Sequence, residues 1–158
     1  MKPEQDFDRV EFAMAIINNA STDVIAVERM GINDPAMSNK VCFMMARYSE
    51  EMIKAKLVLE GIRFQKSHNQ VDLLSSLPDF PNKKRAIAIG AELTPYAVDA
   101  FYGYEADNEY TVEDAQNVYS KALEMPYLLE LPGYDDKEYN YNKKSQGLWK
   151  RKLFGRKK

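Results

Sequence analysis

An all-α fold, an antiparallel up-and-down bundle of about five helices, follows from three observations on the sequence. Every long segment repeats its apolar residues at steps of three and four, the helical rhythm, and none alternates as a half-buried strand does. Capping residues and helix breakers divide these segments into lengths typical of globular helices. The connections are short, which makes consecutive helices antiparallel neighbours. At 158 residues the chain suits one domain that buries roughly two-thirds of its unfolded surface, enough for a core without staples.

The first helix spans Phe7 to Met30, with Val10, Met14, Ile17, Val24 and Val27 as its apolar stripe and Ala13, Ile16 and Ala20 beside it. Gly31 ends it, and Pro35 in the following loop separates it from the second helix. That helix opens at Ser38 as N-cap and lines one face with Val41, Met45, Tyr48, Met52, Ala55 and Leu59. Glu50 lies four residues before Lys54, the favourable order for an exposed ion pair, and Gly61 supplies the left-handed stop. A third, short helix runs from His68 to Leu77. After the turn Pro78 to Lys84, with Asn82 as candidate cap, the fourth carries Ile87, Ala91, Thr94, Val98 and Phe101, and Pro95 should kink or restart it with Thr94 as cap. The fifth opens at Thr111, with Asp114 in the capping-box position, and turns Ala115, Val118, Ala122, Met125 and Leu129 inward. Pro126 should bend this helix, and Leu131-Pro132-Gly133 should stop it. The methionines at 14, 30, 37, 44, 45 and 52 read as adaptable core filler.

Beyond residue 133 the character of the chain changes. The helical domain is therefore 1–133, and 134–158 is a Tyr-rich linker followed by a basic tail. Eight of the 22 Lys and Arg fall from Lys143 onward, where no Asp or Glu occurs, so residues 1–142 carry 14 Lys and Arg against 24 Asp and Glu, a net −10. An acidic body is a poor generic nucleic-acid surface, and RNA contact must come from a local patch or from the tail. The tail interleaves Leu148, Trp149, Leu153 and Phe154 with its cations, a composition that serves either contact with RNA, an anionic membrane or an acidic partner, or plain solubilisation.

Cys42 is the lone cysteine and His68 the lone histidine, so one chain builds neither a disulfide framework nor a Cys/His zinc site, and a reduced cytoplasm is the expected compartment. No continuous 18-residue apolar run and no apolar signal-peptide core is present, which predicts a soluble, untargeted protein without stable membrane insertion. No cofactor or metal is expected. P-loop and nucleotidyltransferase patterns are absent, so any transferase must be a separate chain.

Chemistry concentrates between the second and third helices. Ser67 and Gln70 have capping-box spacing, which puts His68 on a first turn where free N–H groups attract anions, and Arg63 lies five positions earlier across a short loop. Metal-independent RNA cleavage needs a base for the 2′-OH, an acid for the leaving 5′-oxygen and positive charge for the transition state. His68 suits either proton role and Arg63 the phosphate, and a two-fold homodimer would supply the second histidine. Tyr48 and Lys66 are candidate helpers. The plain alternative makes His68 a capping and packing residue and Arg63 a surface charge near Glu60.

The segment from Cys42 to Leu77, with EEMIKAKLVLEG and KSHNQVDLL, resembles the HEPN domain, an all-helical family. Residues 93–125 resemble its closing helix pair, so the likeness covers most of residues 5–131. The resemblance implies a ribonuclease of toxin-antitoxin or defence type, or a partner of a small nucleotidyltransferase, and Arg63 with His68 matches its arginine followed four to six residues later by histidine. Two positions depart: Phe64 stands where a polar residue usually follows the arginine, and Phe101-Tyr102-Gly103 replaces an Arg-Tyr-Pro. Two readings follow. One is a metal-independent endoribonuclease acting through Arg63 and His68 in a homodimer, with RNA as substrate and an antitoxin as possible partner chain. The other is a catalytically silent, nucleotide-binding subunit that partners a nucleotidyltransferase.

Overall fold

The computed structural model describes residues 3–64, 66–101 and 109–134, with only the backbone for 3–7 and 98–101. The linker and basic tail from 135, the acidic loop 102–108 and the Tyr102-Gly103 departure lie outside the described residues. Within them the chain forms α1 (Pro3–Met30), a 3₁₀ turn (Pro35–Met37), α2 (Ser38–Leu59), α3 (Gln70–Ser75), α4 (Lys83–Phe101) and α5 (Val112–Leu128), with no strand. The all-α bundle of five helices is thus the fold expected from periodicity.

α2 is the axis of the bundle and packs against α1, α3, α4 and α5. The expected face of Val41, Met45, Tyr48, Met52 and Ala55 is buried, but so is a second one made of Cys42, Ala46, Ser49, Glu50, Ile53 and Leu57. A helix surrounded by others must bury most of its circumference, and the second stripe escaped a one-face reading because it mixes small and polar residues with apolar ones. α1 packs chiefly on α2 through Ala13, Ile17, Ala20 and Val27, while Val10, assigned to the inner stripe by spacing, is 47% exposed. The stretch Asp8–Met30 is also long and apolar enough to cross a membrane by length and composition alone. Within the bundle Ala13, Ile17, Ala20 and Val27 of this stretch are buried and Asp23 pairs with Arg47 at 3.0 Å, while Phe12 and Ile25 stay exposed.

Several helix ends obey local rules. Gly61 takes φ +69°, and the Gly61 and Ile62 N–H groups donate to Val58 and Leu57 carbonyls, a Schellman stop for α2. α5 ends in the same pattern with Glu130 in the left-handed position at φ 53°. Thr111 and Asp114 form the expected capping box of α5. Ala115, Val118, Ala122, Met125 and Leu129 are buried, as the spacing indicated.

Three expectations need correction. Ser38 is not a cap: Asp34 caps a 3₁₀ turn that feeds directly into α2, and the Ser38 side chain makes no hydrogen bond among the described residues. Thr94 and Pro95 do not restart a helix, since α4 runs through them, and the Thr94 hydroxyl donates to the Gly90 carbonyl at 2.7 Å. α3 begins at Gln70 instead of His68, because the Asn69 side chain accepts from the Val71 and Asp72 N–H groups at 3.0 and 3.3 Å and so sets the start two residues later.

Candidate functional site

The α2–α3 connection, residues 60–69, holds every residue that the sequence nominated except Tyr48. Its entry is fixed by the Gly61 stop, on which the Arg9 guanidinium of α1 rests so closely that a Cβ there would collide with Nη1. Arg63 follows, exposed and without an ion pair or side-chain hydrogen bond among the described residues. Glu60, its nearest acid in sequence, pairs instead with Lys56 at 3.2 Å. Phe64 turns inward against the core, with the Lys54 ammonium 5.8 Å from its ring centroid. Lys66 is exposed.

His68 precedes the cap of α3, and the first-turn N–H groups expected to attract an anion are already bonded, those of Val71 and Asp72 to the Asn69 side chain. Ser67 accepts from the Asn69 N–H at 3.1 Å, and Gln70 does not reach back to close a box. Instead Gln70 is fully buried: its amide donates to the Ala46 carbonyl at 2.9 Å and accepts from the Ser49 hydroxyl at 2.7 Å. Its backbone N–H donates to Thr94 Oγ1 at 3.1 Å, which ties the same point to α4. A residue that close to His68, bonded to two helices, leaves the loop end little freedom to move.

The imidazole itself lies across α2. Its Nδ1 is 3.1 Å from Glu50 Oε1 and 3.4 Å from Oε2, and its side chain is 77% exposed while that of Glu50 is 4% exposed. Lys54 Nζ stands 3.0 Å from Glu50 Oε2. Thus Glu50 and Lys54 do pair, but in the bundle wall rather than on an exposed face, because Glu50 falls on the second buried stripe between Ala46 and Ile53. Helical spacing could have shown this, since Glu50 is four residues from Ala46 and three from Ile53. Tyr48 is no helper. Two positions from Glu50 it points elsewhere, is buried, and is hydrogen-bonded to Tyr134; burial and the neighbouring Tyr134, Tyr127 and Tyr119 push its phenol above the usual range. Cys42 is equally removed from chemistry, its thiol pushed up to about 12 by burial and by the charge of Asp114.

Chemically the loop offers a fixed imidazole with one nitrogen engaged and the other open to solvent. Arg63 and Lys66 add exposed positive charge from the same connection. An all-α bundle with this arrangement is of the class that can hold a phosphate and move a proton beside it. The family comparison gives the class its name: the model of the HEPN domain matches residues 13–129, and the chain belongs to the HEPN domain family, which is of nucleotide-binding or ribonuclease type. Neither the curated proteins nor the solved structures include a significant match to the chain.

Proposed function

We propose that the protein is a metal-independent endoribonuclease whose composite site forms when two copies meet across the α2–α3 loops. The observation that carries this reading is His68 held at Nδ1 by a buried carboxylate while its other nitrogen faces solvent, five residues from a guanidinium without a described partner. In the reaction His68 takes the proton of a ribose 2′-OH as the 2′-oxygen bonds to phosphorus. The bond from phosphorus to the 5′-oxygen breaks, and the protonated His68 of the partner subunit gives its proton to that oxygen. Arg63 neutralises charge on the pentacoordinate phosphorus. The products are a 2′,3′-cyclic phosphate and a 5′-hydroxyl, and a proton returned through water resets the pair. In this reading the enzyme works in the cytoplasm, in a toxin-antitoxin or defence system.

Purified full-length protein should therefore cut single-stranded RNA in the presence of a chelator and leave 2′,3′-cyclic phosphate ends. His68→Ala and Arg63→Ala should each lower the rate at least 100-fold, on the order of the loss of a general acid-base group, with melting unchanged. Cleavage that persists in both variants would place the activity elsewhere.

Phe64 supports a second reading. Its ring occupies the position after the arginine and covers the Lys54 ammonium, so the site suits a silent, nucleotide-binding subunit of a separately encoded nucleotidyltransferase. A folded dimer inert toward varied RNAs, but binding nucleotides through Arg63, would establish that alternative.

A further inference from the structure

We infer that Glu50 is a positioning residue for His68: it fixes the neutral imidazole in the Nδ1–H form and aims a bare Nε2 at the ligand, while Lys54 holds the carboxylate in place. The kinetic part of this inference rests on the proposed ribonuclease function; the tautomer does not.

The geometry states the case. A carboxylate bonded to an ammonium only accepts hydrogen bonds, so a ring nitrogen 3.1 Å from Glu50 Oε1 must carry the hydrogen. Free imidazole side chains in water favour the opposite form, with hydrogen on Nε2, so the protein must impose this choice. Glu50 has the means to do so. Its carboxylate is 4% exposed, and both oxygens are engaged, Oε1 by His68 and Oε2 by Lys54 at 3.0 Å. The other end of the loop is tied by Gln70 to Ala46 and Ser49 on α2 and to Thr94 on α4, which holds the histidine backbone within reach.

One consequence concerns the substrate. A bare Nε2 accepts a hydrogen bond, so in its neutral form His68 recognises a hydroxyl donor, which a ribose 2′-OH supplies and a deoxyribose lacks. Ribonucleotides are accordingly preferred over deoxyribonucleotides at this position. Glu50 then acts as an orienting group, as carboxylates do behind other catalytic histidines, where the wrong tautomer costs several orders of magnitude in rate.

The single histidine makes the test direct. Full-length protein with ¹⁵N-labelled imidazole, observed above the titration of His68, should give one ring whose Nδ1 has the protonated-type shift and whose Nε2 has the bare-type shift. In Glu50→Gln the amide serves equally as donor or acceptor, and the spectrum should move toward the Nε2–H form while the circular dichroism stays that of the wild type. The kcat for RNA cleavage should fall about 10²- to 10⁴-fold in that variant with KM little changed. The wild-type spectrum needs no variant, so the inference stays falsifiable even if Glu50→Gln fails to fold. An Nε2–H wild type, or a folded Glu50→Gln that keeps the Nδ1–H spectrum, overturns it. An Nδ1–H wild type that cleaves no RNA overturns the ribonuclease reading and upholds the role of Glu50. An active enzyme in the Nε2–H form does the reverse.

Discussion

Phe64 shows how one residue carries two meanings. Beside Arg63 it is an apolar side chain where a polar one is usual in the family it resembles, and in the fold it packs against the core with its ring near the Lys54 ammonium, which pairs with Glu50. Replacing it by Asn removes apolar contact from a half-buried position. Phe64→Asn should therefore cost about 1 to 2 kcal/mol of stability, less than a full core truncation because the ring is only partly buried. A thermal melt should show this as a fall of several degrees. If the ring blocks the ligand, cleavage should rise despite the lower stability, so melting and rate are to be read together.

At the scale of elements, the site depends on how closely α3 and α4 approach. Gly90 permits that approach: a Cβ there would lie 3.0 Å from Leu74 Cδ1 and 3.1 Å from the Gln70 Cβ. Neither neighbour can yield freely, because Leu74 is fully buried and Gln70 is bonded to both α2 and α4. Gly90→Ala should push α3 outward and cost about 1 to 3 kcal/mol, the usual range for overpacking, even though alanine is the better helix former. Urea unfolding should register the loss. Hydrogen exchange of the Gln70 N–H should quicken in the same variant, because its bond to Thr94 is the one stretched. An unchanged midpoint would mean that α3 can shift without cost.

Across the whole molecule, α4 and α5 are joined by ion pairs as well as by apolar contact. Arg85 bonds Glu124 at 2.9 Å, and Glu92 accepts from Asn117 at 3.0 Å and from Lys121. Burial acts to raise the Glu92 carboxyl, but the bonds from Lys121 and Asn117, with the charges of Lys121 and Arg85, outweigh it and hold the group below its ordinary value of 4.5. A carboxyl lowered in the folded state adds stability that is complete above the unfolded value and disappears as pH falls through the folded one. Glu92→Gln should thus be less stable than wild type near pH 7, and the gap should close in acid, as pH falls below the ordinary value of 4.5 and through the lowered folded one. Because the pair is partly exposed and screened, the difference should be about 0.5 kcal/mol. Denaturant midpoints at the two pH values, compared in low and high salt, check both sign and screening.

What the sequence by itself determined are features set within a few residues of one another. Helical periodicity specified the bundle, Gly31 and Gly61 its stops, Thr111 with Asp114 a cap, and the connection that carries Arg63 and His68 between two helices. Tertiary structure decided the rest, because the deciding contacts join residues far apart in the chain. His68 meets Glu50 across 18 positions, Ser49 meets Gln70 across 21, and Gln70 meets Thr94 across 24. Spacing shows which residues share a face, but which faces become inner ones depends on how many helices surround the element. α2 is enclosed by four others, so Glu50 became the buried support of the histidine instead of a surface charge, and Gln70 an internal anchor instead of a cap. The same enclosure sent Tyr48 into the core, away from the loop to which its place in the sequence had linked it.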